Sequence, residues 1–103
     1  MINFNFVNGK ILYDEFKIDF TKNFDEQELC LLEDLLQVKY GENYLIDIGW
    51  YPEFDHNGTF IINVIKDYKW DSPIVKKECK NELDLLNTIS ECVDLVESLC
   101  EIS

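Results

Sequence analysis

His56 is the only histidine of the chain, and it stands in the segment Asp55-His56-Asn57-Gly58. An imidazole beside a carboxylate is a common pair for general acid–base catalysis. However, Asn57-Gly58 is a typical hairpin turn, which places His56 at a solvated loop tip. Catalysis also needs the base to lie at hydrogen-bond distance from its partner, and no nucleophile motif stands nearby. We therefore interpret His56 as a turn residue or a partner contact.

Carboxylates are the most abundant reactive groups, with 21 Asp and Glu against nine lysines and a formal net charge of −12. Paired carboxylates can hydrolyse glycosidic bonds or bind metal ions. In a chain this acidic, such pairs also arise by chance, so they do not indicate a site. Asp55 to Gly58 is similar to the opening of an EF-hand calcium loop, but Lys66 stands where the closing glutamate is required. The sequence predicts no metal site.

Motifs for cofactors are missing from the sequence as well. The chain has four glycines, and it contains neither a glycine-rich phosphate loop nor a Gly-x-Ser-x-Gly elbow. Its cysteines are far apart and form no Cys-x-x-Cys pair: Cys30, Cys79, Cys92 and Cys100. We interpret them as small buried hydrophobic residues rather than zinc ligands or disulfides. The sequence predicts no cofactor and no enzymatic activity, and a small enzyme that uses carboxylates stays open as an alternative.

Aromatic and acidic side chains in the middle of the chain are the candidates for binding a partner: Glu53, Asp55, His56, Asp67, Tyr68, Trp70 and Asp71. Loops held by a rigid sheet often carry binding residues, and aromatics ringed by carboxylates suit a basic protein surface. The net charge likewise favours a basic partner and disfavours nucleic acid and anionic membranes. A hairpin closed by Asn57-Gly58 would separate these residues into two patches. The alternative for Trp50 and Trp70 is that both anchor the core.

Two segments in the first half are predicted to form a hairpin and a helix. Asn8-Gly9 favours a hairpin turn between residues 3–7 and 10–13, and alternation through Phe16, Ile18 and Phe20 extends the second strand, with a bulge at Asp14-Glu15. Leucines at helical spacing predict a helix over residues 25–39, with Asp25 as N-cap and Phe24 and Leu29 as a hydrophobic staple.

The second half is predicted to form a meander and a final helix. The strands are Tyr44–Tyr51, Thr59–Ile65 and Ile74–Cys79, and the helix runs over residues 82–99 with Asn81 as its cap. Its apolar stripe comprises Leu86, Ile89, Val93, Val96 and Cys100. The order is therefore ββαβββα, an α+β fold in which an antiparallel sheet packs with two helices in a single domain, residues 1–103.

Three segments together resemble a pattern in bacterial immunity proteins of contact-dependent inhibition and polymorphic-toxin systems. They are Ile46-Asp47-Ile48-Gly49-Trp50-Tyr51-Pro52, Asp55-His56-Asn57-Gly58-Thr59-Phe60 and Lys69-Trp70-Asp71-Ser72-Pro73, and the resemblance covers roughly residues 44–96. It implies a non-catalytic protein that binds and neutralises a cognate toxin domain, with a basic nuclease as the kind of toxin that suits the charge. The resemblance assigns no role to an individual residue.

A different interaction module or complex subunit is the second interpretation. Such a protein would pair through an exposed edge of the sheet and would show an apolar edge or patch where an immunity protein shows acid. Location is predicted from the N-terminus, which has no basic leader before a continuous apolar stretch, and from the lack of any apolar run of about 18 residues. Both features predict a cytoplasmic protein that does not enter the membrane.

Overall fold

The computed structural model describes residues 4–102 and the side chains up to residue 100. It consists of a five-stranded antiparallel sheet and one C-terminal α-helix, and the strands lie in the sheet in chain order. The elements are β1 (Lys10–Asp14), β2 (Leu36–Tyr40), β3 (Tyr44–Tyr51), β4 (Thr59–Lys66), β5 (Val75–Cys79) and α1 (Glu82–Ile102). The α+β class with an antiparallel sheet is thus confirmed.

The sheet has two unlike faces because successive side chains of a strand point in opposite directions. On the face here called the helix face, Val38, Ile46 and Val64 form one cross-strand row that packs under α1. The opposite face, here called the open face, bears the row that includes Asp47 and Asn63. Almost all of β3 is buried on both faces, so it is the central strand of the fold.

The helix α1 begins where the sequence predicts. The Asn81 side-chain oxygen accepts the backbone N–H of Asp84 at 2.8 Å, which satisfies one free donor of the first turn. Residues at spacings of three and four are buried against the helix face: Leu85, Ile89, Cys92, Val93 and Val96. At its N-terminal end the buried stripe therefore begins with Leu85 rather than with the predicted Leu86. No helix of the described chain has the apolar stretch needed to cross a membrane.

The predicted helix over residues 25–39 is wrong. Phe24–Glu26 and Glu28–Cys30 form two short 3-10 turns instead, and the second part of the segment is β2. Leu29, placed in the predicted apolar stripe and staple, is 80% exposed. The buried residues of β2 alternate with half-buried Gln37 and Lys39, which is the period of a strand. Pairing with β3 outweighs the helical spacing of the leucines.

The predicted N-terminal hairpin is also wrong, and with it the order ββαβββα. Asn8-Gly9 does form a turn, since the Gly9 N–H donates to the Phe6 carbonyl at 2.9 Å and Asn8 has a φ of 66°. However, residues 4–6 are not a strand, and β1 pairs with β2. Residue 3 lies outside the described residues. The chain before the turn packs its aromatic rings on the core instead, as in the edge contact of Phe4 with Phe16 at 5.0 Å.

Most of the connector, residues 15–34, packs on the part of the helix face that α1 leaves free, whereas Glu33 and Asp34 at its end lie over the open face beside Gly49 and Asp47. Phe16 and Phe24 pack on Phe60 with ring centroids 6.1 and 6.2 Å apart, and Phe24 also lies 4.8 Å from Trp50. Phe16 and Ile18 are buried as their alternation suggests, but β1 ends at Asp14. The bulge lies between Ile11 and Tyr13 rather than at Asp14-Glu15.

Candidate functional site

Three predicted contacts, Glu53, Asp55 and His56, lie in the loop between β3 and β4. The Nδ1 atom of His56 is 2.7 Å from Glu28 Oε2, and the same oxygen accepts the His56 backbone N–H at 3.1 Å. The hydrogen bond and charge of Glu28 raise the pKa of His56, and the reciprocal contact lowers the pKa of Glu28. Glu53 accepts the backbone N–H of Glu33 at 3.3 Å. These side chains therefore tie the loop to the connector.

Glu28, Asp55 and His56 also bring three possible metal-ligand atoms within 4.8 Å of one another. Asp55 Oδ1 accepts the backbone N–H of Asn57 at 2.9 Å, and Glu28 is bonded to His56. These hydrogen bonds account for the geometry of the group without a cation. We therefore describe it as a clip between the loop and the connector.

The other four predicted contacts, Asp67, Tyr68, Trp70 and Asp71, lie in the turn between β4 and β5. Asp67 and Tyr68 both have positive φ angles, and the Asp67 N–H donates to the Asn43 carbonyl at 2.8 Å. Tyr68 is 56% exposed and Trp70 is 47% exposed, so their rings are open to a partner. The other tryptophan, Trp50, is fully buried and anchors the core.

The two loops lie at opposite ends of the sheet. Strands β3 and β4 pair along their whole length, from Tyr51 opposite Thr59 to Tyr44 opposite Lys66. Eight paired residues span about 23 Å. The predicted contacts therefore form two separate patches, and a partner that touches both must extend along the sheet.

Negative charge is concentrated in α1 and in the connector. The helix α1 carries six carboxylates and no lysine: Glu82, Asp84, Glu91, Asp94, Glu97 and Glu101. The connector carries seven carboxylates and two lysines, whereas six of the nine lysines lie between residues 39 and 80. Among the described side chains of α1, Glu91 has a lysine partner, Lys77 at 3.3 Å, and the other carboxylates have none. We call residues 15–32 of the connector and the outward side of α1 the acidic layer.

A groove lies between residues 4–8 and α1, at the border of the acidic layer. Its volume is about 320 Å³. Its lining combines apolar and polar side chains in about equal measure, including two carboxylates: Phe4, Asn5, Val7, Leu86, Ile89, Ser90, Val93, Asp94 and Glu97. Glu97 also lines an adjoining notch of about 220 Å³, together with Asn8, Tyr40, Gly41 and Cys100. The two spaces share the Glu97 carboxylate.

Two buried polar atoms at the notch have no hydrogen-bond partner among residues 4–102: the Tyr40 hydroxyl and Glu97 Oε1. Tyr40 is only 2% exposed, and burial and the charge of Glu97 raise its pKa to about 12. Gly9 makes this burial possible, since a Cβ atom there would lie 2.8 Å from the Tyr40 ring. Sequence reasoning missed this pair. The sequence signal that could have revealed it is Glu97 itself, a carboxylate that lies in the apolar stripe of α1, four residues after Val93 and three before Cys100.

The open face carries a polar row across all five strands: Tyr13, Gln37, Asp47, Asn63 and Lys76. Asp47, at its centre, is 5% exposed and accepts a hydrogen bond from Gln37 at 3.1 Å. Burial raises the pKa of the Asp47 carboxyl. A carboxylate with a raised pKa is a feature of acid–base enzymes, but Asp47 lines neither the groove nor the notch.

No protein-family model, no curated protein and no solved structure matches this chain. The function is therefore inferred from the fold, the distribution of charge and the two loops.

Proposed function

We propose that this protein is an immunity protein that binds and neutralises a basic, nuclease-type toxin domain in the cytosol. The observation that supports it best is the acidic layer, in which α1 presents carboxylates without a single lysine of its own. The protein acts by occupying its partner and catalyses no reaction.

Charge segregation suits this role for a physical reason. Enzymes that act on nucleic acids commonly present basic surfaces, because their substrate is a polyanion. A surface of one sign attracts such a partner over long range and raises the association rate. Between residues 39 and 80 the negative charge is largely offset, because six of the nine lysines lie there. The acidic layer is therefore the side that meets the basic surface.

The exposed aromatics extend this contact in the proposal. Binding energy usually comes from a few aromatic or charged anchors rather than from the whole buried area. Trp70 and Tyr68 offer such rings at one end of the sheet, beside Asp67 and Asp71. The loop with Glu53 and Asp55 is the second predicted patch.

The proposal is tested by titrating the protein against the polypeptide encoded immediately upstream, by calorimetry and stopped-flow mixing at low and high salt. We expect nanomolar or tighter binding and an association rate that falls steeply with ionic strength. Charge reversal of Asp84 with Asp94 should slow association. Paired reversals of Asp67 with Asp71 and of Glu53 with Asp55 test the loops. A lack of binding, or an association rate indifferent to salt, contradicts the proposal.

The second candidate is an interaction module that pairs through β1. Every residue of this edge strand is exposed, including the apolar Ile11 and Leu12. The bulge next to Leu12 interrupts the ladder that another strand would continue, which disfavours simple edge pairing. If β1 is nevertheless the contact, Ile11→Lys should abolish partner binding while reversal of Asp84 with Asp94 leaves it intact.

A further inference from the structure

We propose that the notch beside Glu97 and Tyr40 receives one lysine or arginine side chain of the partner. This inference rests on the proposed function and adds a specific subsite to the acidic layer. Its ligand is an alkylammonium or alkylguanidinium group, with the aliphatic stem in the groove and the cation at Glu97.

The shape of the groove favours a long cationic side chain over a small inorganic ion. Lysine and arginine bury their methylene stems against apolar surface and keep the charge at a polar end. Phe4, Val7 and Leu86 supply the apolar wall, and Asp94 and Glu97 supply negative charge in the same groove. A metal ion would gain nothing from the apolar wall.

The unpartnered atoms indicate where the cation binds. A buried acceptor without a donor is costly, so a ligand that supplies donors there gains affinity from groups already desolvated. Glu97 Oε1 and the Tyr40 hydroxyl are two such atoms at one notch. An ammonium has three N–H donors and a guanidinium has five, so either carries enough donors for two acceptors. Tyr40 remains a neutral phenol at physiological pH because its pKa is about 12.

The described part of the chain does not fill the site itself. Among residues 4–102, no lysine forms an ion pair with Glu97 or Asp94. The Glu97 carboxylate therefore receives no compensating cation from the described residues.

Glu97 should act differently from the exposed acids of the same helix. A desolvated charge pair mainly slows dissociation, whereas a solvated charge at the rim mainly changes association and its salt dependence. Glu82 is an exposed carboxylate 15 positions before Glu97, about 22 Å away along α1. Glu82→Gln therefore removes the same charge without touching the notch and serves as the matched control for Glu97→Gln.

The first experiment measures association and dissociation rates of the upstream polypeptide with the wild type, Glu97→Gln, Tyr40→Phe and Glu82→Gln. We expect Glu97→Gln to raise the dissociation rate by about 30-fold or more, and Tyr40→Phe by about 3- to 10-fold. Glu82→Gln should leave the dissociation rate within about twofold and lower only the association rate. Circular dichroism of each variant checks that the near-isosteric substitutions leave the fold intact. Equal dissociation rates for Glu97→Gln and Glu82→Gln overturn the inference.

The second experiment tests the site without the partner. The full chain is titrated with n-butylammonium chloride, with tetramethylammonium chloride as the control, while NMR follows the Tyr40 ring signals. We expect saturable shifts with n-butylammonium that disappear in Glu97→Gln. If the upstream polypeptide does not bind the wild type, the proposed function fails, and this titration alone decides whether the site takes an alkylammonium group.

The two experiments together separate the sources of the cation. Suppose that n-butylammonium gives saturable shifts but Glu97→Gln leaves the dissociation rate of the polypeptide unchanged. The notch would then bind a free amine, and the inference that it receives a side chain of the partner would be overturned. A titration without saturable Tyr40 shifts overturns the site altogether.

Discussion

Trp50 and Trp70 allow the same substitution to be made at a buried and at an exposed tryptophan. Trp50 is fully buried, packs edge to face on Phe60 at 4.8 Å, and donates its indole N–H to the Asp55 carbonyl at 2.7 Å. Trp50→Phe removes this donor and leaves space beside the smaller ring. We expect the free energy of unfolding to fall by about 1 kcal/mol for the hydrogen bond and by a further 1–2 kcal/mol, roughly, for the lost packing.

The matched variant is Trp70→Phe, in which a half-exposed ring is shortened. Its free energy of unfolding should change by less than about 0.5 kcal/mol. Urea unfolding followed by far-ultraviolet circular dichroism measures both variants without relying on tryptophan fluorescence. A loss of about 2–3 kcal/mol should also lower the melting temperature by about 10–20 °C for a domain of this size.

The fluorescence of the two variants gives an independent check on burial. The remaining tryptophan of Trp70→Phe should emit at shorter wavelength than that of Trp50→Phe, because Trp50 is shielded from water. Equal losses of stability in the two variants would refute the assignment of Trp50 as core anchor and Trp70 as surface residue. So would a loss below about 0.5 kcal/mol for Trp50→Phe.

Three further predictions concern the backbone and the charged pairs. Gly49→Ala should destabilise the fold by several kcal/mol, roughly, in urea unfolding, because a Cβ atom would overlap the Glu33 carbonyl; a neutral change contradicts this close approach. The pKa of His56 is raised and that of Glu28 is lowered, so their contact stabilises the fold most between their unfolded pKa values of 6.5 and 4.5. This stabilisation is lost as the pH rises through the folded pKa of His56. The free energy of unfolding of Glu28→Gln should therefore differ most from that of the wild type in this window and least at alkaline pH. Burial raises the pKa of Asp47, so its ionisation above that pKa disfavours folding; Asp47→Asn should be more stable than the wild type at neutral pH, with the difference shrinking on acidification, and a less stable variant at neutral pH would contradict this reasoning.

The local signals that correctly predict structure are those whose hydrogen-bond partners lie nearby in the chain. Asn81 caps α1 with its own side chain, and Asn57-Gly58 lies in the loop that joins the long strands β3 and β4. Trp70 and Tyr68 lie in a turn, where the sequence places them, and their exposure agrees with a binding role without testing it. Their function remains a prediction.

Sequence reasoning failed where two local structures are compatible with the same residues. Leu31, Leu35 and Leu36 suit an amphipathic helix as well as a turn followed by a strand. The choice depends on β3, which follows the short turn at Gly41 and offers backbone donors and acceptors to residues 36–40. No pattern within residues 25–39 contains that partner.

The sequence by itself determined the acidity, the meander, the final helix and the absence of recognisable catalytic motifs, because each follows from composition or from neighbouring residues. Only the tertiary structure decided that α1 and most of the connector pack on the same face of the sheet. It also brought Glu97 to Tyr40, 57 positions earlier in the chain, at one notch. Such a contact arises when α1 packs across the sheet, and long-range packing has no signature in the spacing of residues along the chain.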